Sequence, residues 1–70
     1  MSSTKILNVN VGDKFTFNGA TQTCLVLEME EPGTQIRGGE PMEIVPVLVE
    51  SDIFSGWLFL DTDTDVIIVD

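Results

Sequence analysis

The sequence has 70 residues and one cysteine, which leaves room for a single domain and excludes an internal disulfide framework. Hydrophobic residues make up 43% of it and mean hydropathy is +0.24, so disorder is excluded despite a formal net charge of -9. Histidine is absent, and so is a Gly-rich phosphate loop. We therefore expect a protein that is not an enzyme and acts by binding.

Hydropathy and cysteine usage give an expected location. The longest apolar runs are Trp57 to Leu60 and Val66 to Val69, far short of the roughly 18 residues that a membrane span needs. No signal peptide is recognisable, and the single cysteine suits a reducing compartment. These features predict a cytoplasmic protein that has no membrane partner, in the host cytoplasm if the chain is viral.

Periodicity in the first half of the chain predicts three β-strands. The segment 7–11 alternates apolar residues with asparagines, which indicates a half-buried strand ending at Gly12 and Asp13. The phenylalanines on either side of Thr16, followed by Asn18 and Gly19, predict a tight hairpin, since Asn and Gly tolerate positive φ. The third predicted strand spans residues 21–29, with positions 21, 23, 25, 27 and 29 on one face.

The second half begins with a segment rich in glycine and proline. Residues 31–41, EPGTQIRGGEP, predict a long loop, and residues 42–49 predict a strand in which Pro46 lies at an edge or a bulge. Residues 57–60 and 66–69 predict a closing hairpin. Five or six short strands indicate an all-β fold over residues 1–70, either a small SH3-like barrel or a strongly bent antiparallel meander.

Two segments resemble a known family. Residues 11–19, VGDKFTFNG, followed by the strand through Leu25, and residues 63–69, DTDVIIV, are similar to small SH3-like β-barrel proteins encoded by bacteriophages. Those chains open with a glycine, a charged residue, alternating phenylalanines and an Asn-Gly turn, and close on an Asp-Thr pair and a valine-rich strand. The resemblance covers about half of the chain and implies the barrel fold, but it carries over no functional residues.

Charge is distributed unevenly along the chain. Residues 1–27 sum to +1 and residues 28–70 to -10. Because such a chain repels phosphate backbones, we expect no direct nucleic-acid binding and favour a protein partner with a basic surface. One acidic face that imitates nucleic-acid phosphates is a candidate binding surface, although a solubilising surface is the favoured interpretation. The aspartates of the last predicted hairpin would contribute to this face together with Glu28, Glu30, Glu31, Glu40, Glu43, Glu50 and Asp52.

Alternating aspartates form the sharpest local motif. Asp61, Asp63 and Asp65 could gather a hard cation such as calcium, but Val66 stands where an EF-hand loop needs glycine. We favour a polar loop whose aspartates accept hydrogen bonds from nearby backbone N–H groups. No metal or cofactor is therefore expected.

Two single residues are further candidates for partner contacts. Arg37, next to two glycines, could grip an anion, although a solvated arginine is the favoured interpretation. Trp57, the one tryptophan, could anchor an interface, although core packing is favoured.

The leading hypothesis is a non-enzymatic acidic protein-binding module, such as a phage-encoded inhibitor or modulator of a host protein. One alternative is an oligomeric protein that sequesters a small molecule or nucleotide signal between subunits, with Arg37 and Trp57 as contacts. Another is a structural assembly protein. Several segments are apolar on both faces, which predicts a homodimer or higher homo-oligomer. Pro46 at an edge would favour face-to-face contact between the subunits.

Overall fold

The computed structural model describes residues 2–17 and 19–69, which form one antiparallel sheet of seven strands and a short 3-10 helix. The all-β prediction is confirmed, and the sheet does not close on itself. The described elements are β1 Ser2–Lys5, the 3-10 helix Ile6–Asn8, β2 Lys14–Thr16, β3 Cys24–Met29, β4 Gly33–Arg37, β5 Glu40–Glu50, β6 Ser55–Asp61 and β7 Asp65–Val69.

The strands lie in the order β1, β7, β2, β3, β5, β6, with β4 on the same side of β5 as β3. Met29 of β3 is opposite Val47, and Gly33 of β4 is opposite Ile44, so β4 continues the line of β3 along β5. Strands β1 and β6 are the two ends of the sheet. In the described part of the chain, β6 pairs with β5 alone.

The core lies on the inner face of this bent sheet. Alternate residues of a strand point to the same face, so three valines of β5 face the core together. The ring of Phe15 is fully buried and meets Phe17 edge to face, with centroids 5.5 Å apart. Ile44 is also buried but alternates to the outer side of β5. The buried core cluster comprises Ile6, Val9, Phe15, Cys24, Val26, Val45, Val47, Val49 and Val66.

A β-bulge in β3 changes which residues face the core. The register shifts between Val26 and Glu28, so Met29 comes opposite Val47 and packs against the core with Val26. The predicted uninterrupted alternation, which put Met29 on the same face as Leu25, is therefore wrong. Leu27 is the extra residue of the bulge and remains exposed.

The predicted first strand over residues 7–11 is also wrong. The chain forms a 3-10 helix at Ile6–Asn8, in which the Val9 N–H donates to the Ile6 carbonyl at 3.1 Å. Ile6 and Val9 are buried while Leu7 and Val11 are exposed. The buried residues here are thus three apart, as one face of a 3-10 turn requires, whereas a strand would have spaced them by two.

The turn after β2 is longer than the predicted tight hairpin. The Ala20 N–H donates to the Phe17 carbonyl at 2.9 Å, and Gly19 has a φ of +82°, so a turn does form there. Pairing with β3 resumes only where Phe15 meets Cys24. Asn18, the other half of the predicted turn, lies outside the described residues.

The predicted loop over residues 31–41 is instead mostly a β-hairpin. Strand β4 pairs with the first part of β5, and Arg37 is opposite Glu40. Between them Gly38 and Gly39 have φ of +60° and +83°, the two positive values that a type I′ turn needs. All of β4 is exposed. The glycines that suggested a loop therefore make a tight turn at the tip of a projecting ribbon.

The predicted closing hairpin is wrong in its pairing, although both strands exist. Strand β6 pairs with β5, whereas β7 pairs with β1 and β2. The connection between β6 and β7 consists of residues 62–64 alone, so it brings the end of β6 close to the start of β7 although the two strands lie in different parts of the bent sheet. It is tied by hydrogen bonds from the Thr62 N–H to the Glu43 carbonyl and from the Ile6 N–H to the Thr64 carbonyl.

Pro46 lies in the interior of β5 and not at a sheet edge. Its carbonyl accepts the Glu30 N–H at 3.1 Å, and its other neighbour is Phe59 of β6. The nitrogen and carbonyl of a strand residue point to the same neighbour, so the missing donor faces the interruption between β3 and β4. The interruption between β3 and β4 therefore accommodates a residue that has no N–H to donate.

The two phenylalanines that differ most in burial give a test of this core. Phe15→Ala should destabilise the fold by about 3–5 kcal/mol, because it empties a fully buried ring position. The matched control, Phe59→Ala, should cost roughly 1 kcal/mol or less, since that ring is half exposed. Urea denaturation of dilute protein measures both values. Equal losses would contradict the assignment of the inner face.

Candidate interaction surface

The outer side of strands β3, β5 and β6 carries a row of apolar side chains. Strand register places these residues together: Leu48 is opposite Trp57, and Pro46 is opposite Phe59. Directly opposite residues share a face, and their neighbours along each strand point to the core. We call this row the outer apolar face, and it consists of Leu25, Pro46, Leu48, Trp57 and Phe59.

The sequence of β6 explains why aromatic rings end on the outside. Its four consecutive apolar residues must divide between two faces, and Leu58 and Leu60 pack against the core. Trp57 and Phe59 therefore point outward, where they are 37% and 51% exposed. The prediction that Trp57 packs in the core is wrong, and its position is one that an interface residue would occupy.

Carboxylates border the outer apolar face. Glu28 is opposite Leu48, and Glu50 is opposite Leu25, so both belong to the outer side of the sheet. Both are exposed. Lys14 of β2 is opposite Leu25 and lies on the same side, so the face is an apolar centre bordered by two carboxylates and one lysine. A partner whose apolar site is flanked by lysine or arginine would match the carboxylates.

Two glutamates that were predicted to share an acidic face with Glu28 lie elsewhere. Glu30 and Glu31 follow the end of β3 and border an open groove of about 670 Å³. Leu7, Met29 and Pro32 also line this groove. Glu28 therefore lies on the outer face, whereas Glu30 and Glu31 lie at the groove.

The remaining acidic residues do not form one compact face. Glu40 and Glu50 are the first and last residues of β5, which places them about 33 Å apart at the usual rise per strand residue. Glu43 lies near the β6 to β7 connection, and Asp52 lies in the turn before β6. Carboxylates thus occur at both ends of the elongated molecule.

A lysine lies among the aspartates of the β6 to β7 connection. Lys5 Nζ is 2.9 Å from a carboxylate oxygen of Asp65 and 3.4 Å from one of Asp63. The Asp61 carboxylate accepts the Asp63 N–H at 2.8 Å. The hydrogen bond to Asp65, opposed by desolvation and aided by Asp63, raises the pKa of Lys5 above its ordinary 10.5.

The three aspartates interact with groups of the protein itself and are not arranged as calcium ligands. Asp61 bonds to backbone, and Asp63 and Asp65 share an ammonium group. Within residues 2–17 and 19–69, no group of three acidic, histidine or cysteine side chains is placed to hold a metal ion.

Arg37 lies at the tip of the projecting ribbon, far from Trp57. Its Nη2 donates to Gln35 Oε1 at 3.2 Å, and its side chain is exposed. Arg37 is opposite Glu40 and Trp57 is opposite Leu48, which separates the two residues by about 26 Å along β5. Both could contact the same small molecule only if they came from different subunits.

Comparisons with protein-family models, curated proteins and solved structures found no match to this chain. In the part of the chain that the structure describes, no helix is long and apolar enough to cross a membrane. The surface features above therefore carry the functional argument by themselves.

The aspartate geometry predicts that chelators leave the fold unchanged. EDTA should not lower the melting temperature, because Lys5 already neutralises charge between Asp63 and Asp65. Thermal melting by circular dichroism, with and without EDTA or added calcium, checks this. A lower melting temperature in EDTA would show that a cation competes with Lys5.

Burial of Cys24 gives a prediction for alkaline pH. Desolvation raises the pKa of this thiol above its ordinary 9.0, so the thiolate forms more readily in the unfolded chain. Folding stability should therefore fall as pH rises through about 9. Cys24→Ala should be less stable at neutral pH but should lose this part of the pH dependence. Urea denaturation at several pH values would contradict the prediction if both proteins declined equally.

Proposed function

We propose that this chain is a non-enzymatic acidic protein-binding module that docks its outer apolar face on a basic surface of another protein. The exposure of Trp57 and Phe59 beside Glu28 and Glu50 is the observation that carries this proposal. The resemblance to phage SH3-like barrels supplies a biological setting, in which the module inhibits or modulates a host protein.

The composition of the face suits protein recognition. Tryptophan is among the residues most enriched in binding hot spots, because a large ring removes much apolar surface from water when a partner covers it. Trp57 lies in the row between Leu48 and the free side of β6. A partner that covered it would also cover Leu48 and Phe59, which supply an apolar surround.

Charge contributes mainly to the rate of association. The formal net charge of -9 attracts a basic partner from a distance, and Glu28 and Glu50 lie close to the point of contact. Salt screens this attraction over a length near 10 Å at about 0.1 M ionic strength. Association is therefore fastest at low salt, while the aromatic contacts govern dissociation.

The nucleophiles also favour binding over catalysis. Cys24 is buried, and burial raises the pKa of its thiol, which makes it a poor nucleophile. The sequence contains no histidine to activate a serine. Ser51 uses its hydroxyl in the turn before β6, where it accepts the Phe54 N–H at 3.2 Å.

Partner capture with matched variants tests the proposal. Proteins captured from a lysate by the immobilised chain are identified by mass spectrometry and purified, and their binding kinetics are measured at several salt concentrations. Trp57→Ala should weaken binding by at least about 2 kcal/mol, a roughly thirty-fold loss, if Trp57 is the central contact. Rising salt should slow association.

Charge reversal supplies the control. Glu28→Lys with Glu50→Lys should lower the association rate roughly tenfold. Glu30→Lys with Glu31→Lys changes the net charge equally but at the groove, so it should have a smaller effect. A partner whose binding ignores Trp57→Ala, salt and both double variants would overturn the proposal.

A further inference from the structure

Strand β6 has one edge that no strand pairs with among residues 2–17 and 19–69. The Pro46 carbonyl points to the β3 side of β5, where it accepts the Glu30 N–H. Because successive strand residues direct their backbone groups to opposite sides, Val45, Val47 and Val49 direct theirs toward β6. Their partners in β6 therefore point their N–H and carbonyl groups at β5. The alternate residues, among them Trp57 and Phe59, point theirs away from the sheet, where the described part of the chain offers no strand to receive them.

This edge lacks the usual protection against pairing. Natural edge strands are kept apart by short length, charged side chains, proline or bulges. β6 is seven residues long, and its first six residues carry no charge and no proline. At the other end of the sheet, β1 has four residues and includes Lys5. The exposed ribbon strand β4 has five residues and ends on Arg37.

We infer that β6 pairs antiparallel with β6 of a second copy of this chain. A twofold axis through Leu58 places Trp57 of each copy opposite Phe59 of the other, with their outward-facing backbone groups forming hydrogen bonds. Asp61 then comes opposite Ser55, so no two acidic side chains of β6 oppose each other. The strand can thus pair with itself without opposing like charges within β6.

Pairing at this edge leaves both faces of the sheet uncovered. It places the Trp57 ring of one copy beside the Phe59 ring of the other on the outer side, and aromatic neighbours across strands stabilise a sheet. The two outer apolar faces become one continuous surface. This assembly does not depend on any other partner, and it differs from the predicted face-to-face dimer, which would bury that surface.

The expected dimer is weak because its interface is small. One strand and two partly exposed rings per subunit bury less than the roughly 800 Å² that each partner contributes to a standard stable interface. The net charge of -9 on each copy adds repulsion that salt reduces. We expect dissociation constants in the micromolar range, with tighter association at higher ionic strength.

Two measurements on the isolated protein test the inference. Sedimentation equilibrium over about 1–300 µM should show a species of twice the 7.7 kDa chain mass that increases with concentration. Hydrogen exchange followed by NMR should show Leu58 and Leu60 amides protected at all concentrations, because they face β5. Trp57 and Phe59 amides should become protected only as the dimer forms.

A pair of variants at one position separates backbone pairing from side-chain contact. Phe59→Pro removes an outward N–H that the second copy would accept, so it should abolish the dimer. The variant should still fold, because proline is tolerated where the N–H faces away from the sheet. Phe59→Thr keeps that N–H and should retain a weaker dimer. Circular dichroism confirms that each variant folds.

Three results would overturn the inference. A monomer throughout the concentration range would do so, as would a dimer in which the Trp57 and Phe59 amides stay unprotected. So would a folded Phe59→Pro protein that dimerises like the wild type.

Discussion

The double pairing of β5 is the constraint on which the rest of the structure depends. This strand has eleven residues, and it bonds to β3 and β4 along one edge and to β6 along the other. With neighbours on both sides it cannot rotate, so its alternation assigns every neighbouring residue to the inner or the outer face. The valines at 45, 47 and 49 fix the core, and Pro46 and Leu48 fix the outer apolar face.

Pro46 and the bulge in β3 solve one local problem together. A proline inside a doubly paired strand has no N–H for one neighbour, and the line formed by β3 and β4 is interrupted at that point. The bulge at Leu27 turns Met29 toward the core before the interruption, and Glu30 gives its N–H to the Pro46 carbonyl. The open groove beside Glu30 lies where this line is broken.

The sequence predicts the fold class and the segments that are apolar on both faces, because both depend on local alternation. It missed features that depend on context. At Ile6–Asn8, a 3-10 turn buries residues three apart and a strand buries residues two apart. The asparagines that alternate with apolar residues there favoured a spacing of two, and thus a strand. Gly38 and Gly39 fit a loop and a type I′ turn equally well. The partners of β6 and β7 are distant in sequence, so no local pattern specified them.

The position of Trp57 follows from the size of the core and not from hydrophobicity. The inner positions of β5 hold valines, and Leu58 and Leu60 already fill the inner positions of β6. A tryptophan at an inner position would need a volume that this arrangement does not provide. Its exposed ring area would gain about 25 cal/mol per Å² when covered, so the monomer leaves apolar free energy unrealised at this face. A partner bound at the face, or a second copy paired at the adjacent β6 edge, would bury part of this apolar area. The exposed aromatic residues of β6 would contribute to either contact.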